Sequence, residues 1–440
     1  MKIGDFSKKF NVSVATVRHY INLGLLVPEK DGFQYKFNDN DCHEMEIITD
    51  MKASGFKLSE LSRYMSILRL YNKDDYLLYE KLINVLNAKK DSLYAERRQI
   101  NTYIRAVNRK IDDIKSSDQY TPNKKAPADT NDTADTLPGF PLSAVSLLYC
   151  PHCRSKLSMS NVDISGTSIT NGSLSCQCGY SASIRNGIMY TDSLIDLEND
   201  PTFLSSYFGD YNLFCNEDGI FLMGMDEFSN EYLTAIHRES IWIDNELKAF
   251  DTGGKTILFP DMACQYLYSH YNNEAAEDCI FLVTALSERS IRTMRHHIAN
   301  VNPNLNIAYI IDQNGQLPLR QGCIDIIVDY MGSLNLGFFG KTHYFNLIAP
   351  YIAEDAVIIG TFEYYRNNSP SIRKIHELYL NSAQNIFTKK FTLDVLADND
   401  FEIVKTDKIM EGYEPGAFFE YHIPGDIRTH MIYLARRKRK

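Results

Sequence analysis

The sequence contains no uninterrupted apolar run of about 18 residues, the length a membrane-spanning helix needs. The N-terminus also lacks the apolar core of a secretory signal. The nine cysteines are an odd number, and without such a signal they indicate a reducing compartment rather than a disulfide framework. A cytoplasmic protein is expected, with no membrane partner. From Tyr76 to Ile114 neither proline nor glycine occurs, which excludes turns there. An overall basic excess is missing too, since the 440 residues carry a net charge of −10. The charge is uneven, however. Residues 1–115 hold 20 Lys and Arg against 16 Asp and Glu, a balance of +4 that leaves −14 for the remainder. A phosphate-binding surface would belong to that basic first quarter. A chain this long implies two or three domains.

The basic quarter opens with two short helical patterns. Ile3, Phe6 and Phe10 stand at helical spacing, Asn11 suits a turn, and Ser13 suits the N-cap of a second helix from Val14 to Ile21. On that helix Val14, Val17 and Ile21 are expected to face inward. Thr16, Arg18, His19 and Tyr20 are left mostly outside, as a recognition helix in a DNA groove requires. Gly32 to Phe37 reads as a hairpin wing. These residues resemble the MerR family of transcriptional regulators. The matching pieces are Lys2-Ile3-Gly4, Val12-Ser13, Arg18-His19-Tyr20, Gly24-Leu25-Leu26 and, further on, Gly55-Phe56-Lys57-Leu58-Ser59-Glu60-Leu61. The resemblance implies DNA binding through Ser13, Thr16, Arg18, His19, Tyr20 and Lys36, the last standing in for the wing arginine.

Along Tyr76–Ile114 the apolar residues keep a heptad period. One seam is Tyr79, Leu86, Leu93, Ile100, Val107, Ile114. The other is Tyr76, Ile83, Lys90, Arg97, Ile104, Ile111, interrupted by two cations that can fix register. A helix packed on its own chain is the competing reading. The resemblance implies an antiparallel homodimer. The next stretch is rich in Pro, Asp, Asn, Thr and Ser, with little to bury, and reads as a flexible linker.

Cys150-Pro-His-Cys153 and Cys176-Gln-Cys178-Gly179 are two close cysteine pairs joined by a short hydrophilic stretch. Two knuckles of this kind can complete a tetrahedral, structural Zn²⁺ site with all four thiolates. Four protein ligands leave no open position for catalysis. The segment Ala182–Ile188 resembles the close of small zinc ribbons found beside methyltransferases, including some that act on ribosomal RNA guanine.

From Lys255 onward, β-rich runs alternate with helical stretches. The runs are Thr256–Phe259, Cys279–Val283, Ile307–Ile311, Ile324–Asp329, Ala356–Thr361, Phe401–Val404 and Met431–Leu434. This predicts a mostly parallel, Rossmann-like α/β sheet. The Asp312…Leu317-Pro318 segment, followed by Ile324–Val328, resembles class I S-adenosylmethionine-dependent methyltransferases. The cofactor motifs have worn away. The turn after the first strand, Pro260 to Gln265, has no glycine, and the position for a ribose-binding acid falls at about Ala285. Asp261 and Asp312 remain as candidate ligand contacts, and S-adenosylmethionine is not expected to bind in the ordinary way.

The expected organisation is therefore a multidomain chain. A winged helix-turn-helix spans 1–75, a coiled-coil helix 76–115, a linker 116–145, a zinc ribbon 146–192 and a methyltransferase-like α/β domain 193–440. The expected function is a dimeric MerR-like regulator that distorts a pseudo-palindromic promoter and acts indirectly on RNA polymerase. Its degenerate methyltransferase-like domain would sense an unnamed small-molecule effector or bind a protein. The rival readings are an active methyltransferase, on RNA or a small molecule, fused to a DNA-binding head, and a DNA-binding scaffold that senses nothing.

Overall fold

The computed structural model describes residues 1–117 and 137–438, except 33, 71–75, 193, 195–228, 265, 268–277, 289–290, 292–294, 297, 300–301, 303, 338–341, 380–384 and 416–420. The chain divides into two compact units, Met1–Asn123 and Lys124–Lys440.

The first unit is helical. Helices α1 (Ile3–Lys9) and α2 (Val14–Asn22) precede a two-stranded antiparallel wing, β1 (Glu29–Asp31) and β2 (Gln34–Lys36). Helices α3 (Asp39–Ala53), α4 (Leu58–Leu70) and α5 (Tyr76–Lys115) follow. Local chemistry sets the boundaries. Ser13 caps α2 by accepting from the Thr16 amide, and Asn38 and Asp41 form a reciprocal capping box on α3. Phe6, Val17, Tyr20, Leu25, Phe37, Ile48 and Leu61 belong to one core cluster. Arg69 ties this core together. Its guanidinium grips the Glu44 carboxylate at 2.6 and 2.8 Å and donates to the carbonyls of Gly24 and Leu25 at 2.7 Å.

Helix α5 buries only Leu78, Leu82 and Lys89. Its heptad seams lie in the open, with Leu86 43 %, Ile100 55 % and Val107 59 % exposed.

The second unit is built on one large mixed sheet. The ribbon contributes β3 (Phe140–Pro141), β4 (Ser158–Ser165), β5 (Ser168–Ser175), β6 (Ser181–Arg185) and β7 (Ile188–Tyr190). The α/β part contributes β8 (Thr256–Pro260), β9 (Ile280–Ala285), β10 (Ile307–Ile311), β11 (Ile324–Asp329), β12 (Ile352–Tyr364), β13 (Phe401–Gly412) and β14 (Arg428–Arg437). The spatial order is β13-β14-β12-β11-β8-β9-β10-β7-β6-β5-β3, with β4 also on β5. Strands β12, β11, β8, β9, β10 and β7 run parallel, and β14 is antiparallel to both its neighbours. All seven sequence-predicted β-runs are strands. Several extend further because pairing with a long neighbour, as between β13 and β14, recruits polar residues that no apolar pattern marks. Strand β8 lies at the switch point, where the chain crosses from β8-β9-β10 to β11-β12. One core cluster joins the ribbon residues Phe140, Leu148, Cys150, Leu157 and Tyr180 to Leu258, Leu282, Leu317 and Leu319 of the α/β part.

Candidate DNA interface, metal centre and strand-end cleft

On α2, Arg18 and His19 are exposed and Thr16 is half-buried. Lys36 is exposed on the wing. Ser13 is exposed, but its hydroxyl oxygen accepts from the Thr16 amide at 3.0 Å and lies 2.8 Å from the Thr16 hydroxyl. Tyr20 corrects the sequence reading. It was expected outside with Arg18, yet it is only 3 % exposed. It lies three residues after Val17 and so shares that residue's inward stripe. Its ring packs in the core, and its hydroxyl accepts from the Lys52 ammonium at 3.0 Å. The outward face of α2 is thus narrower than the sequence suggests.

The four cysteines converge. Cys150 Sγ lies 3.4 Å from Cys178 Sγ, Cys153 Sγ lies 3.3 Å from Cys176 Sγ, and the four sulfurs fall within 4.8 Å of one another. Tetrahedral zinc thiolates, with Zn–S of about 2.3 Å, stand about 3.8 Å apart. The set therefore fits a Zn²⁺ ion. Each pair sits in a tight turn. The Arg154 amide donates to Cys150 O with Arg154 at φ +63°, and the Gly179 amide donates to Cys176 O with Gly179 at φ +95°. Glycine is the natural residue for that second turn.

At the carboxyl ends of the strands, β8 runs into a short 3₁₀ turn, Asp261–Cys264. Asp261 is buried and takes φ +46°, a left-handed conformation reached without glycine. The glycine of this cleft comes instead from after β11. Gly332 packs so closely that a Cβ there would overlap the Pro260 carbonyl. The two sides of the switch-point crevice therefore meet in backbone contact. Asp329, at the end of β11, accepts from the Ser333 amide and hydroxyl at 2.7 and 2.5 Å, and burial pushes it up to about 6. Strand β9 ends at Ala285, two residues beyond the apolar run Cys279–Val283.

Asp312, just beyond β10, is buried. Its carboxylate accepts from the Gly315 amide at 2.6 Å and the Thr191 hydroxyl at 3.3 Å. Burial raises its pKa against these hydrogen bonds. The cavity beside it, lined by Leu286, Asp312, Gln313, Gly315, Tyr344 and Leu347 among others, measures about 70 Å³. Small-molecule sites usually offer about 300 Å³ or more. Gly332 and Thr191 carried no signal in the sequence, because their importance comes from residues 72 and 121 positions away.

A buried ionic cluster was likewise invisible. Glu239, from the Asn230–Lys248 helix, meets Glu363 of β12 and Arg428 and His430 of β14, and all four are 3 % exposed or less. His430 Nδ1 lies 3.1 Å from Glu239 Oε1 and 3.3 Å from Glu363 Oε1. Arg428 Nε stands 3.8 Å from Glu363, and its guanidinium stacks 4.4 Å from the Tyr232 ring centre. Burial raises Glu239 to about 8 and lowers His430 to about 4. At neutral pH the His430–Glu239 contact is therefore a hydrogen bond between neutral groups, and the Arg428 guanidinium stands beside Glu363.

Comparison with known proteins sorts these regions. Residues 1–67 match the family described as MerR HTH family regulatory protein. The HTH-type transcriptional regulator HmrR of Rhizobium leguminosarum bv. viciae is 29 % identical over 76 residues, 17 % of this chain. The chain spans 57 % of the length of that relative. Among solved structures, magnesium protoporphyrin IX methyltransferase (ChlM) from Synechocystis PCC 6803 with bound SAH aligns at 12 % identity and TM-score 0.36, over 56 % of this chain and all of that one. The MccD protein aligns at 12 % identity and TM-score 0.34, over 45 % of this chain and 96 % of its own. The head, its wing and the matched span coincide: the chain begins with a MerR HTH family regulatory domain.

Proposed function

We propose that this protein is a homodimeric MerR-type regulator that binds and distorts a pseudo-palindromic promoter, with RNA polymerase as the indirect recipient of the effect. The observation that carries this reading is the pairing, in one unit, of an exposed Arg18–His19 face beside a wing with an uncovered apolar seam along α5. Arg18, His19, Thr16 and Lys36 would meet DNA. Ser13 would set the start of α2, and Tyr20 would hold the helix from behind. Boundaries near 75, 115 and 192 would divide the labour among head, dimer helix, ribbon and α/β domain. The expected linker of 116–145 ends sooner, because Phe140–Pro141 already pairs with β5 and Phe140 and Ala144 are buried, and its residues 118–136 lie outside the described residues. A reducing cytoplasm would keep the four thiolates available to Zn²⁺.

In this reading the α/β domain senses an effector or binds a protein and transfers no methyl group. Three features weigh against the usual S-adenosylmethionine mode. The turn after β8 has no glycine and its Pro260 carbonyl is in close contact with Gly332, Ala285 would offer no acceptor to a ribose, and the Asp312 carboxylate is already bonded to the Gly315 amide and the Thr191 hydroxyl. The test takes two measurements. Selection from random duplexes followed by gel shift should return a palindromic site bound by a dimer. Calorimetry with S-adenosylmethionine should show no binding at micromolar concentration. Micromolar binding with turnover on RNA or a small molecule would favour the fused-enzyme reading instead.

A further inference from the structure

The ribbon does not hang from the α/β domain as a separate bead. Its last strand, β7, pairs parallel to β10 through Tyr309–Ile188, Ile310–Met189 and Ile311–Tyr190. Immediately after β10 the chain enters the 312–320 loop, which forms part of the wall of the cavity beside Asp312. That loop is held from both sides by ribbon residues. On one side Thr191, next after β7, donates to Asp312 Oδ1 and to the Ile311 carbonyl. On the other side is the segment leading into the first cysteine knuckle. The Tyr149 amide donates to Pro318 O at 3.1 Å, the Arg320 amide donates to Leu147 O at 2.7 Å, and Leu148 bridges Leu319. Within the knuckle, His152 Nε2 lies 3.2 Å from Gln316 Oε1. Cys150, Leu148, Leu317 and Leu319 are all buried in one shared core.

We propose that the four-cysteine site positions the 312–320 loop, so that metal occupancy at the ribbon sets the shape of the α/β domain's strand-end cavity. The physical reason is short. Residues 147–153 are too few to hold their own shape. With the metal bound, Cys150 and Cys153 are clamped to Cys176 and Cys178, and the rungs to 316–320 have a fixed partner. With the metal gone, the knuckle loosens and the loop loses four of its contacts together. Coupling of this kind is reciprocal: whatever the metal does for the loop, the loop does for metal affinity. The proposal rests on the reading of the cysteines as a Zn²⁺ site.

The experiment uses the full chain, with amide hydrogen exchange and zinc affinity as readouts. Chelator treatment should raise exchange about tenfold or more in peptides covering 147–157, 174–180 and 312–320. Peptides from β12, β13 and the N-terminal unit should keep their protection. His152→Ala leaves all four thiolates in place and should raise exchange in 312–320 alone at unchanged zinc content. Leu319→Ala should weaken zinc affinity at least threefold in competition with a chromophoric chelator, although it lies far from the ligands in sequence. Faster exchange in the ribbon with an undisturbed 312–320 loop overturns the proposal, as does uniform loss of protection throughout the second unit. Zinc affinity in Leu319→Ala equal to that of the parent chain overturns it as well. Protein that binds no zinc at all sinks the metal reading itself, a failure distinct from zinc binding without an effect on the loop.

Discussion

The two units treat their costly residues in opposite ways. The first leaves apolar side chains outside, in a seam running the length of α5. The second puts titratable side chains inside, at Glu239, Glu363, Arg428 and His430. An exposed seam of this length is the face that the proposed dimer would cover. The buried cluster is held at ion-pair distances within one unit, so removing one member leaves the others without compensation. Stability in the first unit should therefore depend on concentration, and stability in the second on charge balance.

The largest expected effect tests the second half of that contrast. Arg428→Met leaves Glu363 buried beside no cation and should destabilise the second unit by about 3–5 kcal/mol. Trp242, the one tryptophan, sits on the same helix as Glu239 and reports this unit by fluorescence during urea unfolding. An unchanged midpoint would show that the cluster is not what completes the unit. Next comes the seam. Leu93→Asp with Ile100→Asp should raise the dimer dissociation constant more than a hundredfold, about 3 kcal/mol, because each dimer would bury unpaired carboxylates. A wild-type protein that sediments as a monomer at micromolar concentration breaks the comparison outright.

Arg18→Ala should cost about 1–3 kcal/mol of specific DNA affinity at fixed salt if the guanidinium reads a base edge. Tyr20→Phe, which removes only a buried hydroxyl, should instead lower the stability of the head and leave the operator sequence preference unchanged. Gel-shift titrations in which Tyr20→Phe alters sequence preference more than Arg18→Ala would reverse the assignment of the two faces of α2.

The smallest effect is a pH dependence. Glu239 is raised to about 8 in the fold, whereas an unfolded glutamate titrates near 4.5. Between those values the native state holds a proton the unfolded chain has released, so stability falls as pH rises. His430, lowered from 6.5 to about 4, acts in the opposite sense over its own window, where stability rises with pH. The two oppose each other below pH 6.5, and of the two only Glu239 still acts from pH 6.5 to 8. The size of its effect is on the order of 1 kcal/mol. Urea midpoints followed by Trp242 should drop over that interval, and Glu239→Gln should flatten the drop. A midpoint that climbs from pH 6.5 to 8 in the parent chain contradicts the neutral Glu239.

Much of the architecture was legible because it is written in local periods. The short helices around Ser13, the heptads of α5, the cysteine spacings and the seven β-runs each need only a few neighbouring residues to be recognised. What escaped the sequence depends on partners far along the chain. Tyr20 was turned the wrong way because its polar hydroxyl suggested an outward face, whereas Lys52 satisfies it within the core. Arg69 carries no signal in the sequence, and only the fold reveals its bonds to Glu44, Gly24 and Leu25. The turn after β8 has no glycine, which the sequence alone displays. That the crevice is met from the other side by Gly332 could be seen only once β8 and β11 were neighbours.

The parallel pairing of β7 with β10 also bears on how this protein can be divided, by proteases or by recombination. A fragment beginning after Tyr190 would uncover the flank of β10 from Tyr309 to Ile311, a bare strand edge in the middle of an apolar sheet. Such an edge invites pairing with another copy and leads to aggregation. A cut beyond α5 exposes no strand edge of the sheet, because both members of every strand pair lie on the same side of it. Among the described residues, a point of exchange between Lys115 and Phe140 is therefore the one expected to leave the sheet whole. The cysteine ribbon and the α/β sheet are expected to have travelled together as a single inherited piece.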